Sequence, residues 1–188
     1  MRKYKLNIEK RNFCVFKVEA LGHKIFNKSL LPLEKKTDAI NKLYHPMNIK
    51  RLCSFLGMAY YYRNFIENDT SLSFLLCKFL KKNSMFEWTN NHIASFNLLR
   101  EALINTPILC YPRFDKPFLI RSNASYQGIG RVLLQLYDDK IEYPVFYISR
   151  TLHKSEYNYL ITELEGTAAY YYITKFKSYI LGNSFQTI

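Results

Sequence analysis

Three groups of side chains in this sequence could do chemistry. Asp138-Asp139 sets two carboxylates side by side, and paired carboxylates can hold a hard divalent cation. Their setting argues otherwise. Tyr137-Asp138-Asp139-Lys140 separates two strand-like runs and reads as a polar hairpin turn, where Asp is a favoured residue. Cys14, Cys53, Cys77 and Cys110 contain no C-x-x-C pair, and His23, His45, His92 and His153 contain no H-x-x-x-H. That spacing excludes an ordinary zinc site and predicts free thiols in a reducing compartment. Tyr60-Tyr61-Tyr62 and Tyr170-Tyr171-Tyr172 could stack nucleobases. Because aromatic rings bury large areas, each triplet is expected to send one or two rings into a core and leave one outside.

The charge is the second signal. Lys and Arg number 27 against 15 Asp and Glu, a net +12 in 188 residues. Residues 1–50 hold twelve of the bases and four of the acids, a local +8. A basic, aromatic-rich chain implies a polyanion partner, nucleic acid before an anionic membrane surface. Apolar residues at 48% and charged residues at 22% exclude disorder as the main state. No apolar run approaches the roughly 20 residues of a membrane span. The basic start has no apolar stretch behind it, so it is not a secretory signal, and an intracellular location, cytoplasm or nucleus, is expected.

The elements that must position these side chains follow from periodicity. Phe13–Phe16 and Val18–Ile25 read as short antiparallel strands, with Gly22 breaking the second. Glu34–Leu43 reads as a helix, ended by His45-Pro46. Asn48 is a good N-cap for a helix whose apolar positions are Leu52, Phe55, Leu56, Ala59 and Tyr62. Gly57 inside it predicts a second helix packed closely there, since Gly costs about 1 kcal/mol against Ala. Leu72–Leu80 is a third helix, and Asn90 or Asn91 caps a fourth that carries Phe96, Leu99 and Leu103. After Pro112 the period changes. Phe118–Ser122, Gly128–Leu134 and Tyr143–Ser149 read as strands, Glu156–Ile180 as a long helix, and Phe185 onward as a fourth strand. The fold class is α+β.

Several strings then fall into a familiar order. They are Leu6-Asn7-Ile8-Glu9-Lys10, Leu21-Gly22-His23, Ser54-Phe55-Leu56-Gly57-Met58 with Tyr61-Tyr62-Arg63-Asn64-Phe65-Ile66, and Phe86-Glu87-Trp88-Thr89. Ala102-Leu103 with Thr106-Pro107, Tyr111-Pro112, Gly128-Ile129-Gly130, Ser149-Arg150-Thr151-Leu152 and Asn158-Tyr159 complete them. Together they resemble the polymerase–ribonuclease H segment of gypsy-type retrotransposon Pol polyproteins over almost the whole chain. The resemblance implies three pieces. Residues 1–25 correspond to the palm tail with a primer-grip-like hairpin, 26–106 to a helical thumb and connection, and 107–188 to a ribonuclease H-like domain. It implies an RNA–DNA hybrid or other duplex nucleic acid as partner, gripped through phosphates by Lys5, Lys10, Lys17, Gly22, His23 and Arg63.

The family joins an RNA-directed DNA polymerase to a ribonuclease H, both dependent on magnesium. Its polymerase motif, aromatic-x-Asp-Asp, is expected upstream of everything matched here. Asp138-Asp139 is not that motif, because Leu136 stands where the aromatic belongs. Of the nuclease carboxylates, the first position is Asn123, in Ser122-Asn123-Ala124-Ser125. The second is Glu165, with Ala168 placed as in the family, and the third is expected shortly beyond Ile188. Glu163 lies about 200° around the helix from Glu165, so the two cannot face one ion. Magnesium is thus not expected to bind stably. The expected function is a catalytically inactive, nucleic-acid-binding piece of the polyprotein. The alternatives are a hybrid nuclease using Glu165 and a host-retained protein-interaction module.

Overall fold

The computed structural model describes residues 15–187 apart from 27, 28, 83, 126 and 127, with backbone alone for 34, 36 and 122–125. The chain enters through a hairpin, β1 (Lys17–Ala20) and β2 (His23–Phe26), paired antiparallel. Its turn is Leu21-Gly22, both at positive φ (50° and 78°), which matches the twist of a two-residue hairpin. So the run from Val18 to Ile25 is not one strand broken by Gly22; it is split into two arms. Val15 and Phe16, expected in a strand, lie outside β1 and are exposed, and Phe13 and Cys14 lie outside the described residues. Two short strands escaped the sequence reading. β3 (Ser29–Pro32) extends the hairpin, and β4 (Leu109–Cys110) closes this sheet on β3. A pair of residues carries no detectable period.

Between β3 and β4 runs a helical layer: α1 (Glu34–Asn41), α2 (Ile49–Tyr61), a 3-10 turn (Arg63–Phe65), α3 (Asp69–Lys78) and α4 (Asn90–Ile104). Asn48 caps α2 as expected, its side chain accepting from the Arg51 N–H at 2.9 Å. Leu52, Phe55, Leu76, Phe96 and Leu99 form one dry core among these helices. Gly57 is on the opposite, exposed face, and a Cβ built on it meets nothing within 4 Å. Among the described residues no helix crosses there, so the packing expected at Gly57 is not found among them.

The second sheet has the order β7-β6-β5-β8, built from β5 (Phe118–Ser125), β6 (Gly128–Leu136), β7 (Glu142–Arg150) and β8 (Phe185–Thr187). β5–β6–β7 are antiparallel, whereas β8 returns parallel to β5 with Phe118 opposite Phe185. α5 (Ile161–Ile180) lies across one face, and Leu164, Ala168, Tyr172, Phe176 and Ile180 pack on Phe118, Ile120, Ile129 and Leu133. α5 is shorter than the helix expected from Glu156. Lys154–Asn158 forms a separate 3-10 turn instead. No described helix is long and apolar enough to cross a membrane.

Candidate functional site

The residues expected to grip nucleic acid fall into different surroundings. Gly22 takes a φ that L side chains resist, and its carbonyl accepts from the Tyr62 hydroxyl at 3.0 Å and the Leu33 N–H at 3.2 Å. His23 stacks between Tyr61 and Phe65, centroids 5.5 and 5.4 Å away, with Tyr62 at its edge. Burial pushes its pKa below the usual imidazole range, which favours the neutral ring. Gly22 and His23 thus dock the hairpin onto the end of α2. Lys17 stays exposed, 3.9 Å from Glu19. Lys5 and Lys10 lie outside the described residues.

Arg63 works at the seam between the helical layer and the second sheet. Its guanidinium donates to the Ser149 carbonyl, lies 3.9 Å from Asp69 and covers the Tyr60 ring at 4.9 Å. Beside it, the Thr70 hydroxyl donates to Ser149 Oγ at 2.9 Å. Burial pushes the Asp69 carboxyl up to about 6, and Arg63 offsets only part of that. Gly128 seals the seam, since a Cβ there would stand 2.7 Å from the Arg150 carbonyl oxygen and 3.0 Å from Thr70.

A second arginine–carboxylate pair holds the corner after β7. Arg150 donates twice to Glu156, each bond 2.7 Å, and the His153 N–H adds a third at 2.7 Å. The paired guanidinium holds the Glu156 carboxyl at about 2 despite its burial. The sequence reading placed Glu156 in the long helix and missed this role. The available signal was an Arg and a Glu six apart around a turn. Glu163 accepts from the Leu160 N–H at 2.9 Å and so caps α5.

A groove of about 570 Å³ opens beside Arg63. Gly57, Tyr60, Tyr61, Tyr171 and Lys175 line it. Lys175 Nζ lies 5.7 Å above the Tyr171 ring, and Arg150 covers the same ring at 4.8 Å. The second tyrosine triplet divides as expected, with Tyr172 buried, Tyr171 half-buried and Tyr170 exposed, whereas the first buries Tyr62 alone and leaves both Tyr60 and Tyr61 exposed.

The expected metal position is different in kind. Asn123 pairs with Gly130, which pairs with Ser149, so these three form one row across the sheet. The neighbouring row is Ser122, Arg131 and Ile148. Glu165 stands exposed on α5, in the same stripe as buried Ala168 and Tyr172. The Arg131 guanidinium lies 4.9 Å over the Tyr172 ring. Burial pushes the Arg131 pKa down, opposed by Tyr172 and by the Glu165 charge. Asp138 pairs with Lys116 and Arg113, and Asp139 accepts from the Ile141 N–H and the Tyr143 hydroxyl. Asp138 thereby ties the β6–β7 turn to the chain before β5, while Asp139 closes the turn itself onto the start of β7. Among the described residues no three His, Cys, Asp or Glu gather to hold a metal ion. A neutral Asn123 and a cation near Glu165 do not fit magnesium, which demands hard anionic oxygens.

Three antiparallel strands, a parallel fourth beside the first and one long helix across the sheet define a ribonuclease H-like fold. Residues 88–187 match the family described as RNase H-like domain found in reverse transcriptase, and the chain belongs to that family. It is 39% identical over 181 residues to the retrovirus-related Pol polyprotein from transposon 412 of Drosophila melanogaster, covering 96% of this chain and 15% of that protein. It is 31% identical over 163 residues to the transposon Tf2-3 polyprotein of Schizosaccharomyces pombe, covering 87% of this chain and 12% of that one. The chain thus corresponds to a segment of retrotransposon Pol polyproteins, spanning less than a sixth of their length. Two solved structures share its fold at 20% identity. The foamy viral protease-reverse transcriptase dRH in complex with double-stranded DNA has a TM-score of 0.77, over 92% of this chain and 30% of that one. The foamy viral protease-reverse transcriptase in complex with an RNA/DNA hybrid has a TM-score of 0.76, over 95% of this chain and 24% of that one.

Proposed function

We propose that this segment grips the backbone of an RNA–DNA hybrid or other duplex and performs no nucleotidyl transfer or hydrolysis by itself. The observation that carries the reading is Gly57. A mid-helix glycine costs about 1 kcal/mol relative to Ala. Among the described residues nothing requires it, because no atom of theirs lies within 4 Å of a Cβ built there. Close approach by a molecule outside the fold accounts for it. That space belongs to a groove whose Tyr60, Tyr61 and Tyr171 offer ring faces and whose Lys175 offers a phosphate-binding charge. The basic surplus of the first 50 residues and the duplex-bound state of the foamy viral structures support the same partner. Magnesium belongs to the family's chemistry, and the donor set near Glu165 argues against its use here.

Fluorescence anisotropy with a labelled hybrid tests this. Gly57→Ala is expected to stabilise the chain by about 1 kcal/mol yet weaken binding, and Gly57→Leu to weaken it further. Lys175→Glu is expected to weaken binding on every sequence and to lower the slope of log affinity against log salt by about one. Unchanged binding in both Gly57→Leu and Lys175→Glu would remove the grip. Magnesium-dependent hybrid cleavage abolished by Glu165→Gln would make the segment a nuclease instead.

A further inference from the structure

α5 turns its buried side, which runs from Leu164 to Ile180 at steps of four, onto the second sheet. Its outward side carries a second pattern. Glu163, Gly166, Tyr170, Ile173 and Lys177 follow one another at steps of three and four, and all five are exposed. That spacing keeps a seam on one side of a helix over several turns, as in paired helices. We propose that this stripe is the contact between two copies of the chain, α5 packed antiparallel on α5 about a two-fold axis at Tyr170.

The stripe is complementary to itself. Glu163 stands seven residues before Tyr170 and Lys177 seven after it. A two-fold axis at Tyr170 therefore sets each Glu163 opposite Lys177 of the other copy, twice over, as an isologous interface requires. Glu163 caps α5 through one carboxylate oxygen, and its other oxygen is left for that contact. Shape follows the same symmetry. A Cβ built on Gly166 meets nothing within 4 Å among the described residues, so the stripe has a depression one turn before Tyr170. Ile173 projects three residues after it, and the axis turns that projection toward the depression of the second copy. Beyond the charges lie Leu160 and Leu181, 70% and 71% exposed, which the same axis also brings together. Tyr170 itself, 76% exposed, is an amphipathic ring suited to the centre of a contact. A duplex does not fit this face, because Glu163 repels phosphates. Lys175, in the groove proposed for the duplex, lies about 140° around the helix from Tyr170. Pairing and duplex binding thus use different sides of α5.

Sedimentation equilibrium of the full chain, freed of nucleic acid, tests this. At low salt the average mass is expected to rise from one chain toward two between about 5 and 500 μM, the weak range of a small interface. Tyr170→Glu, which opposes two carboxylates at the axis, should weaken association about tenfold or more. Lys177→Glu should weaken it about three- to tenfold, since two exposed attractions become repulsions. The salt response separates antiparallel pairing from other contacts. Added salt should weaken the natural dimer and strengthen that of Lys177→Glu, because it screens attraction in one and repulsion in the other. Glu163→Lys combined with Lys177→Glu should restore association. Glu163 also caps α5, so that variant is checked for folding by circular dichroism, and the salt comparison decides the matter without it. A single-chain mass at every concentration would overturn the proposal and assign the stripe to a different partner. A dimer that Tyr170→Glu leaves intact, or equal salt slopes for the natural chain and Lys177→Glu, would overturn it as well. Hybrid binding reports on the Gly57 groove and does not enter this outcome.

Discussion

Arg63–Asp69 at the seam and Arg150–Glu156 at the corner after β7 are both arginines beside buried carboxylates, yet they behave oppositely. At the corner the guanidinium meets the carboxylate through two bonds of 2.7 Å, with a backbone N–H as a third donor. Desolvation is more than answered, and the Glu156 carboxyl falls to about 2. At the seam the nearest approach is 3.9 Å, because the Arg63 guanidinium is turned to the Ser149 carbonyl. Desolvation wins there, and the Asp69 carboxyl rises to about 6. Depth of desolvation and closeness of the pairing together, and not the residue types, decide whether such an acid is held as an anion or as a neutral group.

The largest effect should come from breaking the corner. Glu156→Ala leaves the half-buried Arg150 without its partner and the His153 N–H without an acceptor. A loss of about 3–5 kcal/mol is expected, measured by urea unfolding. A loss under about 1 kcal/mol would mean that the pair is a surface ornament.

The pH dependence sharpens the same contrast. Glu156 has a depressed pKa, so its contribution is complete above its ordinary value near 4.5 and is lost as pH falls toward 2. Asp69 has a raised pKa, so the folded state holds its proton more tightly than the unfolded chain does. Its contribution is complete below about 4 and is lost as pH rises through 6. Asp69→Asn is therefore expected to match the natural chain near pH 4 and to exceed it in stability above pH 7, by up to about 3 kcal/mol. Unfolding free energies across that range check it. Equal stability of the two chains at pH 7.5 would show that Arg63 fully compensates the Asp69 charge.

A smaller effect should follow from crowding the place where the two pairs meet. Gly128→Ala sets a methyl group against the Arg150 carbonyl and Thr70, and about 1–3 kcal/mol of destabilisation is expected. If the seam yields before the corner, amide exchange should quicken in α3 and leave the end of β7 protected. Uniform quickening throughout would mean that the two units unfold as one.

Periodicity was enough for α2, α4, β5, β6 and β7, because each presents an apolar face several residues long to one core. It was not enough for β3, β4 or the Lys154–Asn158 turn. Those elements are short, and they exist because of partners far away in sequence: Cys110 opposite Ser29, Arg150 beneath Glu156. The Gly57 reading failed for a related reason. A glycine signals that something comes close, and the sequence does not say whether the visitor is a helix or a ligand.

By itself, then, the sequence determined the α+β class, the family and the neutral residue at Asn123. These depend on local periodicity and on residue identity. Only the tertiary structure decided where the isolated charges go. It turned Gly22 and His23 inward onto Tyr61, Tyr62 and Phe65, set Arg131 beneath Tyr172, and separated the behaviour of Asp69 from that of Glu156. Charge–charge energies depend on distance and burial, and both are set by residues that meet only after the two cores have packed.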